Sequence, residues 1–195
     1  MTTIGIFVFP GVEELDFVGP WEVLRAWERM APDDGARVFT LAAEEGTIEC
    51  AKGLKVVPDE TWATAAPLDV LVYPGGMGTR QHLGDERIRS WVRDVARRGA
   101  LMTSVCTGSL VYADSGVLDG RPATTHWGSL EHLASLGKDI EVRPGDRYVD
   151  SGDIITASGV SAGIDMALHL IRRLASEDRA RQIRRYIQYD PQPPV

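Results

Sequence analysis

Cys106 lies in the segment best suited to chemistry, Ser104-Val105-Cys106-Thr107-Gly108-Ser109. An apolar run leads directly into Cys106, a helical pattern begins immediately after it, and Gly108 relieves crowding in the tight turn between them. This order is typical of a nucleophile elbow, although the residues differ from the Gly-x-Ser-x-Gly form. A thiol at a helix N-terminus is stabilised as the thiolate, which is the nucleophilic form. The alternative is a small buried core cysteine.

Asp16 is the candidate acid/base partner of this thiol. It follows the first apolar run, in Glu13-Glu14-Leu15-Asp16. A carboxyl group next to the thiol would transfer a proton, and this role requires the strand before Asp16 and the strand before Cys106 to be neighbours. An aspartate at this point is also a favoured helix N-cap, so both interpretations stay open.

Two further sites follow apolar runs. Gly75 and Gly76 end the run DVLVYP, and their N–H groups, together with that of Thr107, are predicted to form an oxyanion hole. A plain tight turn explains the two glycines equally well. His126, in Ala123-Thr124-Thr125-His126-Trp127, is the histidine nearest to an expected strand end. It is predicted either to orient Cys106 or act as a base, or to be a half-buried structural histidine.

The remaining chemically capable side chains are assigned no role. Cys50 has no elbow around it, and His82, His132 and His169 are predicted on loop or helix surfaces. The histidines lack metal-ligand spacing with cysteine, so neither a metal nor a cofactor is predicted. No P-loop and no Gly-x-Gly-x-x-Gly at a helix start is present in the sequence, which argues against nucleotide binding.

Alternating apolar and amphipathic stretches position these residues. Pro20 is placed in the first turn of the first helix, and Gly99 is expected to end the helix that precedes it. The tail DPQPPV is too rich in proline for a helix. The sequence predicts strands over 3–9, 37–42, 69–73 and 100–105, helices over 16–30, 87–98, 107–114, 162–174 and 177–189, and a hairpin over 148–156.

This alternation predicts an α/β fold: a flavodoxin-like three-layer sandwich with a mostly parallel central sheet, formed by one domain over residues 1–195. Ligands of such sheets bind beyond the carboxyl ends of the strands, where Asp16, Gly75 and Cys106 are expected. The net charge of -7 and pI near 5.1 argue against nucleic acid as a partner. Without a signal-peptide pattern or an apolar run of about 18 residues, we expect a cytoplasmic protein with no membrane partner.

Five motifs, in this order, resemble the ThiJ/PfpI superfamily: IGIFVFPGVEELD, LVYPGGMG, TSVCTGS, TTHW and SGVSAGIDMAL. The resemblance covers nearly the whole chain and implies a class I glutamine-amidotransferase-like fold. Asp16 stands where many members carry Glu, and Thr107 stands where peptidase-like members carry His. With the ending Tyr-Asp-Pro-Gln-Pro-Pro, these features are most similar to the isocyanide-hydrating members.

The resemblance implies roles for individual residues. Cys106 matches the nucleophile and Asp16 its general acid/base. Thr107 supplies a hydroxyl and an N–H group near the thiol, Gly76 an oxyanion-type donor, and His126 a position close to the site.

The implied reaction converts a small-molecule isocyanide and water to an N-substituted formamide through a covalent Cys106 thioimidate. No cofactor is implied, and a homodimer is expected, with Trp21 and Trp27 suited to a dimer face or to a core. Phe17, Val18 and Trp127 are expected to line the pocket. A glyoxalase or deglycase acting on small oxo-aldehydes and a non-catalytic cysteine redox sensor remain alternatives. Because the sequence ends at residue 195, no AraC-type DNA-binding module is expected.

Overall fold

The computed structural model describes residues 1–192, so the end of the predicted tail, residues 193–195, lies outside the described residues. The strands are β1 (Thr2–Phe7), β2 (Ala36–Ala42), β3 (Ile48–Glu49), β4 (Lys55–Val56), β5 (Glu60–Thr61), β6 (Val70–Tyr73), β7 (Leu101–Val105), β8 (Pro122–Ala123), β9 (Glu141–Val142), β10 (Tyr148–Asp150) and β11 (Ile154–Ala157). The helices are α1 (Glu14–Met30), α2 (Thr79–His82), α3 (Glu86–Arg97), α4 (Gly108–Asp114), α5 (Leu130–Leu136), α6 (Ala162–Leu174) and α7 (Glu177–Tyr186).

Within residues 1–192 the central sheet has seven strands in the order β10-β11-β7-β6-β1-β2-β5. The strand pairs of this sheet are parallel, except for the antiparallel β10–β11 hairpin. Helices cover both faces, so the predicted flavodoxin-like α/β sandwich with a mostly parallel sheet is confirmed. The hairpin predicted around Gly152-Asp153 is also present, with Tyr148 opposite Ala157.

The central strands are buried on both faces. Residues of β6 and most of β1 are inaccessible to solvent, including Ile4, Ile6 and Val72. A strand covered by helices on both sides has no solvent-facing side chains, which explains why these segments are continuously apolar rather than alternating. The rigid sheet that results fixes the loops at the carboxyl ends of β1, β6 and β7.

The expectation that β1 and β7 are adjacent in the sheet is wrong, because β6 lies between them. The loops that follow these strands nevertheless meet above the end of β6. The Glu13 N–H donates to the Gly75 carbonyl at 2.9 Å, and Val12 forms a β-bridge with Gly76. The loop after β6 therefore joins the loop between β1 and α1 to the Cys106 elbow.

Two expectations about α1 need correction. The helix begins at Glu14, so Pro20 lies inside it rather than in its first turn, and its ring packs against Gly163 of α6. Trp27 is 1% exposed and donates from Nε1 to Asp34 Oδ2 at 2.7 Å, which makes it a core residue and not a dimer face. Trp21 is half-buried and packs on the same core.

Candidate active site above the central strands

Cys106 occupies a strained turn between β7 and α4. Its φ of 56° lies in the left-handed region, which a residue with a side chain enters only when its surroundings enforce it. Its N–H donates to the Ala157 carbonyl at 3.0 Å. Its carbonyl accepts from the hydroxyls of Thr125, at 2.9 Å, and Ser109, at 3.1 Å. Contacts from three segments thus hold the elbow in the geometry of a strand-end nucleophile.

Gly108 allows α4 to begin directly above β6. A Cβ atom at this position would overlap the carbonyl oxygen of Tyr73, the last residue of β6. Only a residue without a side chain lets the backbones approach so closely. The glycine therefore places the elbow, with the sulfur of Cys106, beside the loop that follows β6.

Asp16 is fully buried in the first turn of α1. Its Oδ2 accepts a hydrogen bond of 2.9 Å from the Gly75 N–H. Its Oδ1 is also buried, and no described residue gives it a well-formed hydrogen bond. Glu13 occupies the N-cap position of α1, so the N-cap interpretation of Asp16 is wrong.

The carboxyl group of Asp16 and the thiol of Cys106 lie close enough for each to shift the pKa of the other. Burial raises the pKa of Asp16 from 3.8 to about 7, against the opposing hydrogen bond from Gly75. Burial, followed by the nearby Asp16 charge, raises the pKa of Cys106 to about 12. The pair therefore loses its first proton near pH 7, and the proton that remains at higher pH lies mainly on the sulfur.

Two backbone N–H groups donate to the sulfur of Cys106, those of Thr107 and Val160, and both lower its pKa. Val160 has a φ of 32°, which is a true outlier for a β-branched residue. Val160 is not among the site residues predicted from the sequence. It lies in the loop 158–161 between β11 and α6, so the rule that sites lie beyond strand ends would have indicated it.

The two glycine N–H groups predicted as oxyanion donors are engaged within the protein. Gly75 donates to Asp16, and Gly76 donates to the Thr107 hydroxyl at 3.0 Å. Thr79, which the sequence analysis missed, is fully buried and reaches the same hydroxyl with its Oγ1 at 3.1 Å. Gly75 lies between the backbone of Thr107 and the carboxyl group of Asp16, since a Cβ atom on Gly75 would be 2.5 Å from Thr107 N and 2.9 Å from Asp16 Oδ2.

His126 is half-buried at the edge of the site. Its Nδ1 accepts from the Gly128 N–H at 3.2 Å, and its ring faces Gly159, next to Val160. It borders the loop that carries a donor to the sulfur, and its role stays a prediction. Trp127 projects into solvent with 81% of its surface exposed, so it forms a rim rather than a pocket wall in this chain.

Two histidines expected on the surface are not there. His169 is 7% exposed, stacks on Tyr148 and lies 2.6 Å from Asp150 Oδ2 through its Nε2. His82 is half-buried against Phe9, and burial lowers its pKa to about 4. Both side chains make structural contacts. The sequence did not predict their burial, because a helical pattern does not reveal which polar positions face a neighbouring strand.

Residues 1–192 contain no group of three or more His, Cys, Asp and Glu side chains arranged to hold a metal ion. Over the same part of the chain, no helix combines the length and apolar character needed to cross a membrane. Cys50 and Cys106 are free thiols, and burial raises the pKa of Cys50.

A strained cysteine beside a buried carboxyl group, above the central strands of this sheet, places the chain among α/β proteins with a thiol at a strand end. The chain belongs to the DJ-1/PfpI family, whose model matches residues 2–173. This confirms the resemblance to the ThiJ/PfpI superfamily.

Individual relatives refine the comparison. The chain is 37% identical over 191 residues to isonitrile hydratase of Pseudomonas putida, covering 98% of this chain and 80% of that protein; isonitrile and isocyanide are the same group. A THiJ/PfpI family protein from Pseudomonas syringae has a TM-score of 0.89 at 32% identity, covering 100% of this chain and 77% of that one. The HTH-type regulator GbdR of Pseudomonas aeruginosa is 27% identical over 88% of this chain but only 46% of its own length.

Proposed function

We propose that the protein hydrates isocyanides, converting R–N≡C and water to the formamide R–NH–CHO. The observation that carries the proposal is the buried pair of Cys106 and Asp16, which shares one proton above about pH 7. The pair supplies a nucleophile and an acid in adjacent positions, which is what addition to an isocyanide carbon requires. The 37% identity to isonitrile hydratase over most of the chain supports this substrate class.

In the first step the proton of the pair moves from the Cys106 thiol, which has the higher pKa, to the Asp16 carboxylate, and the sulfur becomes a thiolate. The unpartnered Oδ1 is the natural position for that proton, since Oδ2 already accepts from Gly75. The N–H groups of Thr107 and Val160 stabilise the thiolate. The sulfur attacks the terminal isocyanide carbon, and Asp16 protonates the carbanion that develops there, giving the thioimidate R–N=CH–S–Cys106.

In the second step water adds to the thioimidate carbon. Asp16, now a carboxylate, accepts a proton from the water and passes it to the nitrogen, which gives R–NH–CH(OH)–S–Cys106. It then takes the hydroxyl proton as the C–S bond breaks. The formamide leaves, Asp16 is again protonated and Cys106 is again a thiolate, so the cycle closes without a cofactor or redox change.

An uncharged substrate suits the site's electrostatics. The pair carries one negative charge before the attack, and a buried site with that charge would disfavour an anionic substrate. The half-buried Val18 and the exposed Trp127 offer apolar surface for the organic group of the isocyanide. A homodimer is expected from the family resemblance, and its interface would cover part of this exposed apolar surface. Sedimentation at micromolar concentration would test the dimer.

The proposal is tested by mixing the purified protein with cyclohexyl isocyanide and measuring the formamide by mass spectrometry. We expect turnover by the wild type and none by Cys106→Ala. Cys50→Ala provides the matched control, because Cys50 is the other buried thiol and has no elbow around it. An active Cys106→Ala variant, or a wild type without formamide production, would contradict the proposal.

The same pair would also attack a carbonyl carbon. The glutathione-independent glyoxalase DJR-1.2 of Caenorhabditis elegans is 23% identical over 76% of this chain, so methylglyoxal belongs in the substrate panel. Lactate formation without formamide formation would favour the glyoxalase alternative. Loss of the free Cys106 thiol on peroxide treatment, with no turnover of either substrate, would favour the redox sensor.

A further inference from the structure

The β3–β4 hairpin contacts the loop between β1 and α1, which leads into the first turn of α1 and Asp16. Lys52 lies in the turn of this hairpin, and its Nζ forms an ion pair with Glu13 Oε1. The same Nζ lies 3.9 Å from Glu14 Oε2. The backbone N–H of Lys52 also donates to Glu14 Oε1 at 2.6 Å. One residue thus contacts both carboxylates that precede Asp16.

The attachment of the hairpin does not need the lysine side chain. The Ala51 N–H donates to the Val12 carbonyl at 2.9 Å, and the Gly11 N–H donates to the Glu49 carbonyl at the same distance. These hydrogen bonds, and the one from the Lys52 N–H, use backbone donors that any substitution other than proline preserves. The Nζ atom therefore contributes charge rather than attachment.

The charge acts on a crowded group of carboxylates. Glu14 Oε2 is buried without a hydrogen-bond partner among the described residues. The groups that shift the pKa of Asp16 are the Gly75 N–H, Glu13, Cys106 and Lys52. Among them Glu13 raises this pKa and Lys52 lowers it, so the two act in opposite directions on the same proton.

We propose that Lys52 is a positioning residue for the Asp16–Cys106 pair: by neutralising Glu13, it sets the pH range in which Cys106 reacts. The inference builds on the thiol–carboxyl pair of the proposed function and extends it to the hairpin. Lys52 touches neither substrate nor sulfur, and its effect on Cys106 passes through Asp16. The expected size is modest, since the ammonium group is largely exposed and screened by water.

The test measures the rate of Cys106 alkylation by iodoacetamide against pH, with the Cys106 peptide resolved by mass spectrometry. In Lys52→Met we expect the acidic limb of the profile to move up by about half a pH unit, which is roughly a threefold slower reaction below pH 7. Glu13→Gln should move the limb down. Lys52→Arg should restore the wild-type profile, because it keeps the charge.

Lys55→Met is the matched control, since Lys55 lies on the same hairpin, is 67% exposed against 66% for Lys52, and pairs with Glu49 instead. It should leave the profile unchanged. An unshifted profile in Lys52→Met, or an equal shift in Lys55→Met, would overturn the inference. Since alkylation needs no isocyanide, a shift seen in a protein that forms no formamide would uphold the role of Lys52 and reject the proposed function instead.

Discussion

Replacing Asp16 by asparagine should make the protein more stable and inactive at the same time. The unfolded chain ionises Asp16 near pH 3.8, whereas the folded chain does so at about pH 7, chiefly because the group is buried. Between these values the folded state holds a proton that the unfolded state has released. The free energy of unfolding therefore falls as the pH rises through this window, and the full loss is reached above pH 7.

The difference of about three pKa units corresponds to about 4 kcal/mol, of which about 3 kcal/mol falls between pH 5 and pH 8. Solvent screens this group little, because Asp16 is 0% exposed. The amide of the Asp16→Asn variant would be neutral throughout, and its oxygen would still accept from the Gly75 N–H. Relative to the wild type, the variant should gain about 3 kcal/mol of stability over this range.

Urea unfolding curves of both proteins at several pH values between about pH 5 and pH 8 measure this difference, because the other titrating groups cancel. Asp114→Asn is the control: Asp114 pairs with Arg89, which lowers its pKa, so its charge is constant over this range. That variant should be destabilised by the same amount at every pH. A difference between Asp16→Asn and the wild type that does not change with pH would refute the raised pKa.

Three further predictions concern the site. The kcat/KM for hydration should rise about tenfold per pH unit below about pH 7 and then level off, as the pair loses its first proton; a flat pH–rate profile would exclude the shared-proton mechanism. Gly108→Ala should destabilise the fold by about 2 kcal/mol or more, because its methyl group would overlap the Tyr73 carbonyl; calorimetry measures the loss, and an unchanged melting temperature would disprove the close approach. Trp127→Ala should raise KM for bulky apolar isocyanides while leaving the melting temperature nearly unchanged, since Trp127 is 81% exposed; equal KM values for small and bulky substrates would remove it from the rim.

Much of the fold could be predicted because the decisive signals are local. Largely apolar runs identified β1, β6 and β7, since strands buried on both faces carry no charged side chain. The rule that ligands bind beyond strand ends then brought Cys106 and Asp16 forward as candidates. The positions of single turn residues, such as Gly108, followed from the same pattern.

The features that the sequence did not predict have a different origin, which is contact between segments distant in sequence. Nothing in the helical pattern around His169 shows that it faces Asp150 of β10. The order of strands, with β6 between β1 and β7, depends on how crossovers wind and not on the strands' own residues. Val160 reaches the sulfur from a loop, and Lys52 contacts Glu13 and Glu14 from a hairpin, so only their three-dimensional placement identifies them.

Unfavourable features are concentrated around one sulfur atom. Cys106 and Val160 both have positive φ, and Asp16 is buried with one oxygen unpartnered. Each such feature costs on the order of 1–3 kcal/mol, and a fold selected for stability alone would not place three of them around one side chain. The rigid β1–β6–β7 core can sustain that strain, and the groups it holds in place are those that keep one proton between a thiol and a carboxyl group. Strain located at this point is therefore itself an argument that the pair reacts with a substrate rather than serving the fold.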